Sequence, residues 1–294
     1  MSGENSSNTS EPGTHARRDR VSLFRPGQAL PRPAVTQDQT REREAISTAL
    51  VLSAPNPIRV WDSLRPIRLD AKILAGNGLF LNSNSGAASS AFDILRTRLL
   101  QAMEARGWRR IAVTSPTHGC GKSFVAANLA FSLSRKTSNR TVLLDLELRD
   151  PGLARLLGVA DAGPIGAFLS GDQPLESLFL RVGPNLALGL NNAPVKDAAE
   201  LLQEETTAQV LEAMLEYLDP DIAIYDLPPA LGSDDVIAML PQVDAVLLVA
   251  DGTRTTAEDV RACERLLEGR VPLMGVVLNR AQDRAQDRYL YGNK

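Results

Sequence analysis

Nine residues, Ser115-Pro116-Thr117-His118-Gly119-Cys120-Gly121-Lys122-Ser123, have the composition of an anion cradle. Phosphate oxygens need donors without bulk. Gly119 and Gly121 let backbone N–H groups close on an anion, while a following helix presents its positive end. Lys122 would neutralise β- and γ-phosphates, and Ser123 offers a hydroxyl to Mg²⁺, a hard cation that takes oxygen donors and keeps several waters. Phe124 follows directly and counts with Gly119, Cys120, Gly121, Lys122 and Ser123 as a nucleotide contact. The apolar run Ile111-Ala112-Val113-Thr114 precedes the loop, and a helical pattern over 122–134 follows it. This context raises Gly-x-Gly-Lys-Ser to a Walker A match for Mg-ATP, above the alternative of a Gly-rich turn capping a helix. In the general GxxxxGK[ST] pattern the first glycine would fall at Pro116, so the loop is a variant.

Two acidic strand ends complete the chemistry. Val142-Leu143-Leu144 runs into Asp145, and Ile222-Ala223-Ile224-Tyr225 into Asp226. Ligands of open α/β sheets bind at the carboxyl ends of strands, where such acids hold Mg²⁺ or its water, or accept a proton from an attacking hydroxyl. A solvated turn before Pro151 is the alternative for Asp145, and an ordinary strand end for Asp226. Lesser signals are Cys120, whose thiol pKa a helix N-terminus would lower, His118 as a solvent-facing or phosphate-touching side chain, Cys263 as a core residue, and Asp234 and Asp235 as caps of the helix after Ser233, with Asp235 also a candidate lining residue.

These residues need a scaffold that brings strand ends together. Helical and β-rich runs alternate from Ser85 onward, which predicts an α/β fold: a mostly parallel central sheet with helices on both faces, as in P-loop NTPases. Strands are expected over 111–114, 141–146, 186–190, 222–227, 245–250 and 273–278, and helices over 87–105, 122–134, 206–218 and 257–268. Val125, Leu129 and Leu133 should form the inner face of the second of these helices. Residues 1–45 are Ser-, Asn-, Pro- and Arg-rich and are expected to be a disordered tail. Residues 46–84 are read as a partly ordered arm or linker, 85–282 as the P-loop domain, and 283–294 as a flexible tail holding Tyr289 and Tyr291.

Lys plus Arg total 32 against 35 Asp plus Glu, a net charge of −3, which gives no pull toward nucleic acid. Two cysteines suggest neither a disulfide framework nor a zinc site. With no leader pattern and no apolar run approaching the roughly 20 residues of a membrane span, a cytoplasmic location is expected, with any membrane role carried by a partner.

The segments together resemble the cytoplasmic tyrosine autokinases of bacterial capsule and exopolysaccharide systems, a deviant-Walker branch of P-loop ATPases. The match runs through Leu95-Arg96-Thr97, Gly119-Cys120-Gly121-Lys122-Ser123, Asp145-x-Glu147-x-Arg149, Asp226-x-Pro228-Pro229 and Gly275-Val276-Val277-Leu278-Asn279. The resemblance implies that Lys122, Asp145 and Asp226 carry phosphoryl transfer to tyrosine, with Ser123, Asp145 and Asp226 at the metal. It also implies that Asn279 faces adenine, that acceptors lie in a C-terminal tyrosine cluster, and that the partner is a membrane-embedded polysaccharide chain-length regulator holding the chain at the inner face of the membrane. Departures are Glu147 where the family has Asp, and Ser90, Asp93 and Arg96 in place of the Glu-x-x-Arg-x-x-Arg motif that supports homo-oligomers. Two tyrosines stand in the tail where relatives often have several. The alternatives are a nucleotide-gated scaffold without kinase activity and a partitioning or positioning ATPase; the latter's signature lysine is replaced by Thr117.

Overall fold

The computed structural model describes residues 56–82, 86–163 and 165–281. Within them the chain forms α1 (Pro57–Ser63), β1 (Arg65–Pro66), α2 (Ala71–Gly76), α3 (Ala87–Glu104), β2 (Arg110–Thr114), α4 (Lys122–Ser134), β3 (Thr141–Asp145), α5 (Leu153–Leu157), α6 (Ile165–Leu169), α7 (Leu175–Leu178), β4 (Phe179–Val182), β5 (Leu186–Gly189), α8 (Ala198–Gln203), α9 (Glu205–Leu218), β6 (Ile222–Asp226), α10 (Asp235–Met239), β7 (Ala245–Asp251), α11 (Ala257–Leu267) and β8 (Leu273–Asn279). The strands make one sheet in the order β1-β4-β5-β3-β6-β2-β7-β8. Every neighbouring pair is parallel except β4 with β5.

The apolar runs become strands because both faces of the sheet are covered. β3, β6 and β7 are buried along their whole length, which is why they read as continuous Val, Ile and Leu rather than alternating residues. Successive side chains still take opposite faces. Val142, Leu144, Tyr225 and Val246 enter one core, and Leu143, Ile224, Leu247 and Val249 the other. The fold is therefore the mostly parallel, helix-covered sheet expected of a P-loop NTPase.

Two local features differ from the expectations. Helix α4 is buried from Val125 through Leu133, not only along one face. The sheet covers one side, and α3 with residues 78–80 covers the other: Phe80 N–H donates to Asn128 Oδ1 at 2.9 Å, and Asn128 Nδ2 donates to the Gly78 carbonyl at 3.4 Å. Strand β4 was not expected, because four residues with Arg181 among them have no decisive periodicity; its antiparallel pairing with β5 across a turn at Gly183 (φ 64°) is made by the neighbours. The segment before α3 contributes to the sheet and core. Asn56 caps α1, β1 pairs with β4, and the buried Trp61 donates its ring N–H to the Leu218 carbonyl at 2.5 Å.

Candidate functional site

The loop from Ser115 to Ser123 leaves β2 and enters α4 at the carboxyl edge of the sheet. Its base is sewn to the end of β6: Thr114 Oγ1 donates to the Pro228 carbonyl at 2.5 Å and Ala230 N–H to the Ser115 carbonyl at 2.8 Å. Gly119 and Gly121 have φ of 76° and 89°, the left-handed region that disfavours side chains. Position 121 is crowded as well, since a Cβ there would run into the Asn279 amide.

Parallel registry does the rest. Val113 stands opposite Asp226, and Asp226 opposite Asp145, so strand ends far apart in sequence present their carboxylates side by side next to the loop. Lys122 is buried and ion-paired with Glu147, with its Nζ 4.0 Å from Asp226 Oδ1 and 3.4 Å from Ser123 Oγ. Burial pulls the lysine pKa down, but the charges of Asp226, Glu147 and Asp145 outweigh it and raise it above the ordinary value. Asp145 accepts backbone N–H bonds from Glu147 at 3.3 Å and Leu153 at 3.2 Å. Burial and then the Asp226 charge nevertheless push its carboxyl well above the usual range. Burial also pushes Asp226 up to about 6, against the opposing charge of Lys122 and the Ser123 side chain. Both Asp226 oxygens are buried without a hydrogen bond among the described residues. Such a carboxylate has its acceptor capacity unspent.

A cavity of about 490 Å³ opens over this cluster, lined among others by His118, Gly121, Lys122, Ser123, Phe124 and Glu147. Phe124 stands with its ring edge-on to Phe92, centroids 5.9 Å apart. His118 is exposed at the cavity mouth. Among the described residues, no group of three or more His, Cys, Asp or Glu could hold a metal by itself. The donor set instead fits Mg²⁺, which takes one or two carboxylates and completes its shell with phosphate oxygens and water.

Of the lesser signals, both cysteines are buried and only the acids at the start of α10 depart from expectation. Cys120 is buried behind the loop, its Sγ 3.2 Å from the Thr117 carbonyl and 3.7 Å from Thr255 Oγ1. Burial raises the thiol pKa, and hydrogen bonds with Thr117 and Thr255 more than offset it, leaving it below the ordinary value. Cys263 is a core residue, pushed up to about 11 by burial. Asp234 and Asp235 do not cap α10 with their side chains. The Ser233 hydroxyl accepts from Asp235 N–H at 3.1 Å, while the buried Asp235 carboxylate takes Arg149 Nε at 3.0 Å and Nη2 at 2.9 Å. Asn279 Nδ2 donates to the Cys120 carbonyl at 2.9 Å. Tyr289 and Tyr291 lie outside the described residues.

Sequence reasoning missed Asp251, Arg254 and Arg280. The buried Asp251 ends β7 and accepts from Thr253 N–H and Oγ1, Arg254 Nε and Arg280 Nη1 at 2.9, 2.6, 3.3 and 2.6 Å. Both guanidinium groups also reach the Gly119 carbonyl, at 3.1 and 2.9 Å. The signal was a third apolar strand ending in aspartate; the arginines follow no motif.

Residues 108–288 match the ParA family model, described as NUBPL iron-transfer P-loop NTPase. The chain belongs to this P-loop NTPase family. The chain is 30% identical over 202 residues to EpsB of Ralstonia nicotianae, covering 68% of this chain and 26% of that protein. The tyrosine-protein kinase Etk of Escherichia coli K12 is 27% identical over 215 residues, 72% of this chain and 29% of Etk. The solved Etk kinase domain superposes with a TM-score of 0.63 at 27% identity, covering 75% of this chain and 84% of that domain. The kinase domain of VpsO gives a TM-score of 0.58 at 26% identity, covering 66% and 96%. The resemblance to bacterial tyrosine kinases is thus borne out across most of the chain, which spans about a quarter to a third of the length of the curated relatives it matches. Among the described residues, no helix is long and apolar enough to cross a membrane.

Proposed function

We propose that this member of the P-loop NTPase family is an ATP-dependent protein-tyrosine kinase module of exopolysaccharide or capsule production. The observation that carries the reading is the convergence of Lys122, Asp145, Glu147 and the hydrogen-bond-free carboxylate of Asp226 on the mouth of the phosphate loop. It is supported by relatives and a solved domain named as tyrosine kinases. Ser123 and Asp226, with Asp145 beside them, would hold Mg²⁺, which supplies charge neutralisation to the phosphates when bound. Amides of residues 119–123 bind the phosphates and Lys122 draws the charge that develops on the γ-phosphoryl group. Asp145, with its raised pKa, takes the proton of a tyrosine hydroxyl as the tyrosine oxygen bonds to phosphorus, the bond to the bridging oxygen breaks and ADP leaves. Asn279, whose side chain holds the Cys120 carbonyl, and Phe124, which lines the cavity, would face the adenine in this reading.

Tyr289 and Tyr291, or the tail of a partner, are the acceptors in this reading, and a membrane-embedded chain-length regulator is the partner that would bring the module to the inner face of the membrane. Incubation with labelled ATP and Mg²⁺, followed by phosphotyrosine detection, is the test. Label on these tyrosines or on a co-expressed partner, lost in a Tyr289→Phe, Tyr291→Phe chain for the former, is expected. Nucleotide binding without label on either would leave the nucleotide-gated scaffold in its place.

A second observation bears on assembly. Asp93, at the middle position of the relatives' helical oligomerisation motif, is engaged within its own chain by Arg135, by Ser132 Oγ at 2.7 Å and by Arg96 at 3.3 Å. We infer that any homo-oligomer uses another surface; gel filtration with an Asp93→Ala variant should give the wild-type state.

A further inference from the structure

The ends of β7 and β8 form a backstop to the phosphate loop that the phosphoryl-transfer reading does not use. Asp251 has no exposed surface, whereas Arg254 and Arg280, which it gathers, are 60% and 52% exposed in their side chains. Their shared target is main chain: Arg254 Nη2 and Arg280 Nη1 both donate to the Gly119 carbonyl, and Asn279 Nδ2 donates to the next carbonyl, that of Cys120. The turn that carries Arg254 is itself fixed. Thr255 Oγ1 accepts from Asp251 N–H at 2.8 Å, and Gly252 N–H donates to the Asn279 carbonyl at 2.8 Å, tying the two strand ends together.

A planar trans peptide turns its carbonyl and the following N–H in opposite directions. Holding the Gly119 carbonyl on the backstop therefore aims the Cys120 N–H away from it, and holding the Cys120 carbonyl aims the Gly121 N–H likewise. Among the described residues, none offers an acceptor to either N–H. Gly119 and Gly121, both at positive φ, have little intrinsic preference to keep those peptides in one orientation. Three side-chain donors on two consecutive carbonyls supply it.

We propose that Arg254 and Arg280, gathered by Asp251, are positioning residues that preorganise the phosphate-loop amides and thereby set nucleotide affinity through the loop rather than by touching the nucleotide. This rests on the assignment of the loop to a nucleoside polyphosphate. The competing account is direct attraction: two exposed cations near a phosphate site would raise affinity by charge alone.

The full chain, titrated with a fluorescent ADP analogue and Mg²⁺, separates the two. The Arg254→Gln, Arg280→Gln variant should raise Kd by ~10-fold, the scale of a lost charge-assisted hydrogen bond. Asp251→Asn keeps both cations and removes an anion. Positioning predicts that it weakens binding several-fold; direct attraction predicts tighter binding. Unchanged or tighter binding by a folded Asp251→Asn chain overturns the proposal. Should that variant not fold, salt dependence decides: the Gln double variant should keep the wild-type slope of affinity against ionic strength, and a shallower slope overturns the proposal. Wild-type protein that binds no nucleotide would instead refute the site assignment, an outcome distinct from equal binding by wild type and variants.

Discussion

Asp226 and Asp251 are both fully buried aspartates at the carboxyl ends of apolar parallel strands, and their environments are opposite. Asp251 is saturated with donors; Thr253 first, then Arg280 and Arg254, hold its carboxyl well below the ordinary range. Asp226 has no hydrogen bond of normal length among the described residues, its ion-pair partner there stands 4.0 Å away, and burial pushes it up to about 6. A buried charge without partners costs stability. Retaining one beside a phosphate loop makes sense if its missing partner is a ligand, and saturating the other makes sense if its role is architectural. Strand-end aspartate is thus one sequence pattern serving two ends, and the donors around it tell which.

The contrast can be broken most sharply at Lys122, the only charge partner of Asp226 among the described residues. Lys122→Met should lower nucleotide-dependent phosphoryl transfer by ~100- to 1,000-fold, the range seen when one transition-state charge stabiliser is removed. Transfer within tenfold of wild type, measured with labelled ATP, would remove the lysine from the chemistry.

Next is Asp226 itself. Its folded-state pKa of about 6 lies above the ordinary 3.8, so folding takes up a proton between these values. The stability this group contributes is present below about pH 4 and is lost as pH rises through about 6. Asp226→Asn avoids that loss. Wild type and variant should match in urea unfolding near pH 4, and the variant should be the more stable at pH 8 while its transfer activity falls ~100-fold. A less stable variant at pH 8 would mean that the carboxylate is satisfied after all.

Asp251→Asn should behave in the opposite sense. A carboxyl held low in the folded state stabilises above the unfolded value and stops doing so as pH falls through its own. The variant should therefore melt below wild type at pH 7, with the gap narrowing in acid. Equal melting at pH 7 would dissolve the contrast.

The smallest effect is expected at Cys120. Its thiol faces the Thr117 carbonyl and Thr255 while the loop's neighbouring carbonyls make the backstop contacts. Cys120→Ala should leave nucleotide Kd within about twofold. A tenfold loss would show that the thiol itself holds the loop.

Much of the site was legible in the chain. A β-rich run, a Gly-x-Gly-Lys-Ser turn and a helix specify their local conformations, because the glycines are required by backbone angle and the apolar runs by burial on both faces. Asp145 and Asp226 were legible for the same reason: each breaks an apolar run where a buried strand must end. Asp251 has that signature too, but nothing in its own segment marks it as more than the end of a strand. Strand β4 was beyond reach, as four residues cannot declare a period.

Composition and spacing thus determined the strand–loop–helix unit, the mostly parallel sheet and the acids at its strand ends, since each is fixed by short-range backbone preference and hydrophobic pattern. Only the tertiary structure decided what surrounds each acid. Registry between β3 and β6 sets Asp145 beside Asp226, and the approach of Arg254 and Arg280 to Asp251 depends on two strand ends meeting. Whether a buried carboxylate is quenched or left open is a property of groups distant in sequence, and no local pattern encodes it.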